Sequence, residues 1–438
     1  MHTSHTLNRR QLLRRGVSLA STAVAAPYFI PRHVLAAPGQ PGANDRIGIA
    51  GIGIGRQGSG VLKNALSSNQ TRFVAIADVS LPRAKELAEK HGGEPYQDYR
   101  KLLERKDVDA IVTATPDHWR ALVTIHACQA GKDVYAEKAL SLTIHEGRLM
   151  VEAARKYKRV FQVGSQQRSQ AVNRLSCEYL RTGKLGKIKE VIGCNYPSPW
   201  ECAFPAQPVP EGLDWDMWCG PAPLVPYHVD LYKPRANPGW LSFRPYSGGE
   251  MTGWGAHGLD QIQWALGMDE SGPVEVWVEG EKYNPPTYTA PEPRKRGDDA
   301  CRIPMIHYRY ANGVVVKLDS GSGGGGIFFG EKGKMDLSRG KVKTNPAEIG
   351  EEITAQAKGQ DQNHVGNWIE CMKTRAKPVA DVAIGHRSTT VCHLGNIARW
   401  LNRKLRWDPV KEIFPDDAEA NQYLDRARRK GYELPEKI

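Results

Sequence analysis

Two patterns of apolar spacing succeed each other along the chain. From residue 46, short apolar runs at 46–52, 73–77, 110–114, 133–136 and 160–163 alternate with stretches of helical periodicity. The helices are expected after residue 58 (Val61, Leu62, Ala65 and Leu66), over 84–91, over 121–130 and through Tyr157. Strands alternating with helices of this length imply a parallel sheet with helices on both faces. From about residue 171 the texture changes. A helix over 174–182 and a strand over 189–195 lead into a stretch rich in Pro and Trp at 196–246, with no period. It is too long for an ordinary connection, which marks it as functional. A helix over 255–266 follows. Strands at 274–278, 305–310, 314–318 and 327–329 then imply a second, mostly antiparallel sheet. Helices near 362–374 and 384–401 close the chain. The fold class is α/β: a doubly wound domain over 46–170 and a second α/β domain over 171–438.

The first strand runs directly into Gly53-Ile54-Gly55-Arg56-Gln57-Gly58, a G-x-G-x-x-G placed between a strand and a helix. Glycines there allow a tight turn and close approach to a pyrophosphate, whose charge then faces helix amides. In a chain with 44 glycines the motif alone says little. Its context adds Asp78, at the end of the second strand and 20 residues past Gly58, placed to accept from ribose hydroxyls. That acid favours NAD over NADP, with Arg83 the nearby cation able to answer a 2′-phosphate. Ligands of such sheets bind at the carboxyl ends of the strands. Thr115, Pro116, His118, Glu137, Lys138 and Gln166 all fall at such ends and are candidates for cofactor contact. Arg168, after the last of these strands, is a candidate for substrate contact.

The charge balance changes the picture only at the N-terminus. Net charge is +12 over 438 residues, but residues 1–36 hold five arginines and no acid, and without them it is +7. Asn8-Arg9-Arg10-Gln11-Leu12-Leu13-Arg14 has the twin-arginine pattern, with an apolar stretch behind it and a cleavage box at Val34-Leu35-Ala36. Residues 1–36 are expected to be an export signal and 37–45 a linker. The mature protein is then periplasmic or otherwise exported, with no stable membrane insertion. No basic helix or RNP-like motif points to nucleic acid. The eight cysteines form no C-x-x-C and no zinc spacing, so no metal is expected. Cys128 and Cys392 lie in apolar helical patterns and are expected to be buried and reduced.

The chain resembles the Gfo/Idh/MocA oxidoreductases, the glucose-fructose oxidoreductase and inositol dehydrogenase types, and within them an exported, Trp-rich subgroup. The likeness rests on the glycine loop, "ATPDHW" at 114–119, "GKDVYAEK" at 131–138, "VGSQQRS" at 163–169, "SGGEMTGWGAHGLDQIQWALG" at 247–267 and "GHRSTTVCHLGNIA" at 385–398. It implies a Rossmann domain followed by a domain with a large open sheet used for oligomerisation, here a homodimer or homotetramer. It also implies redox chemistry on a sugar or cyclitol. By position, Lys138 matches the lysine that touches both cofactor and substrate hydroxyl in the family. His257 matches its proton-accepting histidine.

Three residues depart from the family pattern. Ala139 replaces the motif proline, Arg120 replaces a histidine, and Gly253 replaces the acid that normally partners His257. Glu250 and Asp260 are the carboxylates nearest in sequence that could stand in. Arg120 adds a cation, which points to an altered, anionic substrate or to weakened dehydrogenase activity. Trp254, beside Gly253, is a candidate for stacking on a sugar. The expected function is NAD-dependent hydride transfer at a sugar, sugar-derivative or cyclitol hydroxyl, with a tightly held cofactor. Two other readings stay open: a redox glycosidase working by oxidation, elimination and reduction, and a sugar-binding protein of weakened activity.

Overall fold

The computed structural model describes Gly42 and residues 45–233, 239–285, 287–290 and 299–438. The twin-arginine segment lies outside the described residues. The chain divides into two compact units, Met1–Arg46 and Ile47–Ile438, and the second contains every helix and strand among the described residues.

Its first half runs β1 (Ile47–Ile52), α1 (Arg56–Leu66), β2 (Thr71–Ala77), α2 (Leu81–His91), β3 (Glu94–Tyr96), α3 (Tyr99–Leu103), β4 (Ala110–Thr113), α4 (Asp117–Gln129), β5 (Asp133–Ala136), α5 (Ile144–Lys156) and β6 (Phe161–Val163). The strands pair in the order β3-β2-β1-β4-β5-β6, all parallel. The order reverses between β1 and β4, which opens a crevice at their carboxyl ends. Alternate residues along each strand face opposite sides, as the pleat requires. Ala50, Ala75 and Ile111 join the core under α4 and α5, while Ile49, Ile76 and Val112 join the core under α1.

The second half supplies α6 (Ala171–Arg181), β7 (Ile188–Cys194), β8 (Glu201–Cys202), α7 (Trp215–Cys219), α8 (Val229–Tyr232), α9 (Glu250–Gly253), α10 (Gly255–Ala265), β9 (Pro273–Glu279), β10 (Thr287–Tyr288), β11 (Met305–Tyr310), β12 (Val315–Asp319), β13 (Gly325–Gly330), β14 (Gly333–Ser338) and β15 (Lys341–Asn345). Then come α11 (Ala347–Ala357), α12 (His364–Thr374), α13 (Val382–Leu401) and β16 (Leu405–Arg406). Eight strands form one sheet, β15-β14-β13-β7-β12-β11-β9-β16. Every neighbouring pair is antiparallel except β7 with β12. One face of this sheet buries Val191, Ile306, Tyr308, Val316 and Phe328 against Ile262 of α10 and Leu394 and Ile397 of α13.

The chain does not leave the first sheet at residue 170. Val365, Trp368 and Ile369 of α12 lie in the core beneath α1, and Gln162 donates to the His364 carbonyl at 2.7 Å. The long stretch at 196–246 is held by an aromatic core of Trp200, Phe204, Trp215, Trp218, Tyr227, Phe243 and Tyr246. The Trp215 and Trp218 rings stack 4.4 Å apart. Cys128 and Cys392 are buried free thiols. Among the described residues no helix is long and apolar enough to cross a membrane.

Candidate active site

A cavity of about 580 Å³ lies over the carboxyl ends of β1, β2, β4 and β5. One end of it is made by the β1–α1 turn. Gly53 has φ +64°, a conformation that disfavours any residue with a Cβ, and a Cβ there would sit 2.4 Å from Thr115 Cγ2. A Cβ on Gly58 would lie 3.0 Å from that of Ala114, so this glycine lets α1 sit close to the sheet. Gly55 differs, because a Cβ there meets no protein atom within 4 Å. That open space lies at the N-terminus of α1, where unpaired amides favour an anion. The residues present therefore fit a dinucleotide pyrophosphate, with Gly55 left bare toward it.

Asp78 closes β2 at the same end. Its carboxylate accepts from the Ser80 amide at 2.9 Å and from Arg83 at 3.3 Å. Burial raises its pKa above the ordinary value, and Arg83 and the Ser80 amide oppose that shift. Arg83 also donates to the Tyr232 hydroxyl at 2.7 Å. Tyr232 belongs to the long aromatic stretch, which contributes Met217, Trp218, Trp240 and Leu241 to the cavity wall as well. The absence of period had marked this stretch as functional but could not say which of its residues reach the cavity. Trp200, by contrast, is fully buried in the aromatic core.

At the other end, Lys138 and His257 both line the cavity. Lys138 follows β5 and donates to the Gly253 carbonyl at 2.9 Å. The position that has lost its acid therefore still meets the lysine, through its backbone. The Lys138–Ala139 peptide is cis. His257 lies in the first turn of α10, 8% exposed, with its ring 5.8 Å from that of Trp254. Glu137 is held between two amides, accepting from Gln57 at 3.2 Å and Gln166 at 2.8 Å. Thr115 and Pro116 complete this wall.

Several candidates are engaged elsewhere. His118 does not line the cavity: it is 1% exposed, bonds the Trp218 carbonyl, and burial pushes its pKa down to about 3. It is a neutral packing residue joining α4 to the aromatic stretch. Arg120 does line the cavity but is 2% exposed. It pairs with Asp117 at 3.0 Å and donates to the Thr115 and Ala139 carbonyls, so its charge is spent on holding the loop ends. Asp260 does not stand in for the missing acid. Arg168 forks onto it at 2.8 Å and Ser388 donates to it at 2.6 Å, and neither Arg168 nor Asp260 lines the cavity. Glu250 accepts from the Trp254 amide at 3.2 Å, at the junction of α9 and α10. Trp254 lines the cavity beside Arg339, which no sequence motif had singled out. No cluster of three or more His, Cys, Asp or Glu that could hold a metal occurs among the described residues.

A glycine turn before a helix N-terminus, a buried acid after the second strand, and a lysine and a histidine lining the same cavity fit a dinucleotide-dependent oxidoreductase scaffold. The chain belongs to the Gfo/Idh/MocA oxidoreductase family: residues 46–165 match its NAD-binding Rossmann fold and residues 184–434 its C-terminal alpha/beta domain. It is 27% identical over 170 residues to a glycosyl hydrolase family 109 protein of Shewanella pealeana, covering 34% of this chain and 37% of that protein. It is 31% identical over 143 residues to the myo-inositol 2-dehydrogenase of Thermotoga maritima, covering 32% of this chain and 42% of that enzyme. The matched stretch thus spans well under two thirds of these curated relatives. The WlbA dehydrogenase of Bordetella pertussis, solved with NADH and UDP-GlcNAcA, superimposes with a TM-score of 0.60 at 17% identity, covering 84% of this chain and 99% of that one. At that identity the likeness speaks for the fold.

Proposed function

We propose that the protein transfers hydride at a hydroxyl-bearing carbon of a sugar, sugar derivative or cyclitol, using NAD that it keeps bound. The observation that carries this reading is the single cavity holding Gly55 and Asp78 at one end and Lys138 and His257 at the other. Bound NAD supplies the hydride acceptor, and in the reverse direction the donor. Gly53, Gly55 and the α1 amides hold the pyrophosphate. Asp78 accepts from ribose hydroxyls and repels a 2′-phosphate, which selects NAD over NADP. Lys138 holds the reacting hydroxyl oxygen and offsets the negative charge that develops there as hydride leaves. His257 takes the hydroxyl proton. Lys138 acts on both the cofactor and the hydroxyl, so its share of the rate is larger than that of His257.

Tyr232, Trp218 and Met217 wall the Asp78 end, which supports a cofactor retained between turnovers. Retention suits a protein exported by its twin-arginine segment, since a compartment outside the cytoplasm offers no free NAD pool. The likeness to the family 109 protein favours a second reading, in which oxidation is followed by elimination of a leaving group and re-reduction of the product. The test is Lys138→Ala, assayed for reduction of bound NAD on a panel of sugars, cyclitols and glycosides. Hydride transfer is expected to be lost while NAD stays bound. Full turnover by this variant would reject the mechanism. Release of a leaving group with no net NADH would favour the second reading.

A further inference from the structure

Arg339 sits at the tip of the β14–β15 hairpin, in a backbone conformation with φ +39° that arginine rarely adopts. Three contacts hold that tip. The Ser338 hydroxyl donates to the Gly323 carbonyl at 2.6 Å, and the Gly340 amide donates to the Asn173 side chain at 2.5 Å. The aliphatic stem of Arg339 lies on Gly324, where a Cβ would come within 2.7 Å of Arg339 Cγ. Gly324 is itself anchored, its carbonyl accepting from Gln167 and its amide donating to the Tyr196 hydroxyl. The glycine-rich tract at 321–326, otherwise a low-complexity stretch, is thus the bed on which this side chain rests.

The guanidinium is held over the Trp254 ring, 5.0 Å from its centroid, and both residues line the cavity that contains Lys138 and His257. Among the described residues no carboxylate pairs with Arg339. The acids on the cavity wall are committed or remote. Asp78 and Asp117 pair with Arg83 and Arg120, and Glu137 accepts from Gln57 and Gln166. Glu86 lies on α2, the helix of Arg83 at the Asp78 end. The acid that would have faced the substrate beside His257 is Gly253, whose backbone carbonyl meets Lys138. A stacked, exposed guanidinium with its fork unfilled matches a planar carboxylate.

We propose that Arg339 binds a carboxylate of the substrate, so that the protein acts on an acidic sugar or carboxylated cyclitol in preference to its neutral counterpart. This rests on the hydroxyl-oxidising reading above. Arg120 also lines the cavity, but it is 2% exposed and its charge is paired with Asp117, so Arg339 is the cation open to a ligand.

The experiment compares matched pairs, glucuronate with glucose and galacturonate with galactose, by reduction of NAD in the holoenzyme. The acid of at least one pair is expected to be favoured tenfold or more in kcat/KM. Arg339→Gln should erase that preference through KM, with the NAD dissociation constant and melting temperature unchanged. Arg339→Lys, a point charge without the fork, should restore part of it. If neutral sugars are turned over as well as the acids, or Arg339→Gln keeps the preference, the proposal is overturned while the hydroxyl-oxidising reading stands. If no member of either pair, nor any sugar, cyclitol or glycoside of the wider panel, reduces bound NAD, both fall.

Discussion

Gly55 and Gly53 lie two residues apart, and the same added methyl should have opposite consequences at the two positions. At Gly55 the backbone has φ −90°, open to any residue, and the methyl would touch no protein atom. Two small terms oppose each other in Gly55→Ala. Alanine reduces the freedom of the unfolded chain, stabilising by about 0.4–1 kcal/mol. As an N-cap residue it is worse than glycine by roughly 0.5–1 kcal/mol. They cancel, so the melting temperature should move by no more than about 2 °C. The methyl would, however, occupy the space before the α1 amides, and NAD affinity should fall at least about tenfold, or ~1.4 kcal/mol. In Gly53→Ala the left-handed backbone costs about 1–2 kcal/mol. The clash with Thr115 Cγ2 adds about 1–3 kcal/mol. A loss of about 2–5 kcal/mol lowers the melting temperature by roughly 5 °C or more. The assay is a thermal melt of cofactor-stripped protein beside a calorimetric NAD titration. Wild-type NAD affinity in Gly55→Ala would refute the cradle, and an unchanged melt in Gly53→Ala would refute the steric account of the turn.

Three further outcomes are expected. Asp78→Ser should narrow or reverse the preference for NAD over NADP by about tenfold or more (~1.4 kcal/mol), because it removes the repelling acid and frees Arg83 from its 3.3 Å pairing; a wild type that binds NADP more tightly would contradict the role of Asp78. Glu412 is raised by burial, but hydrogen bonds from His386 and Arg148 outweigh that and hold it at about 2, below its ordinary 4.5. A depressed carboxylate stabilises the fold above its unfolded pKa, and that contribution is lost as pH falls through its folded value. Glu412→Gln should therefore flatten the acid limb of the melting-temperature profile between about pH 4.5 and pH 2; a limb like the wild type's counts against the ion cluster. Replacing Arg9 and Arg10 together with Lys should leave unprocessed protein in the cytoplasm, and normal export of that variant would dismiss the twin-arginine reading.

Local pattern gave five of the six strands of the first sheet, because each β-α unit there is close in sequence and its apolar period is read directly; the three-residue edge strand β3, mostly exposed, carries no such period. The order strand, glycine loop, helix, strand and acid picks out Gly53, Gly55 and Asp78, which line one cavity, and Gly58, which lets α1 sit close to the sheet. Lys138 was legible for the same reason, since a strand end in such a sheet points to the crevice. The second sheet was legible in kind but incomplete. β14 and β15 were missed because their half-buried faces, with Lys, Asp and Ser between the apolar residues, resemble exposed turns.

What the tertiary structure decided was the state of each charged or aromatic side chain. Arg120 and Arg168 read from sequence as cations for a substrate and Asp260 as a stand-in acid, yet burial obliges a charge to find partners: Asp117 pairs with Arg120 from the same helix, and Asp269 and Ser388 reach Arg168 and Asp260 from distant segments. Asp260 does not replace the acid missing at Gly253, and Lys138 meets the Gly253 backbone carbonyl, 115 residues away in the chain. Arg339 had no motif to reveal it. Its position depends on a hairpin tip, a glycine bed and a tryptophan face from three separate stretches, and only folding brings those together. Periodicity and spacing report what neighbours in the chain do, whereas the pairing of charges and the walls of a cavity are set by residues far apart in sequence.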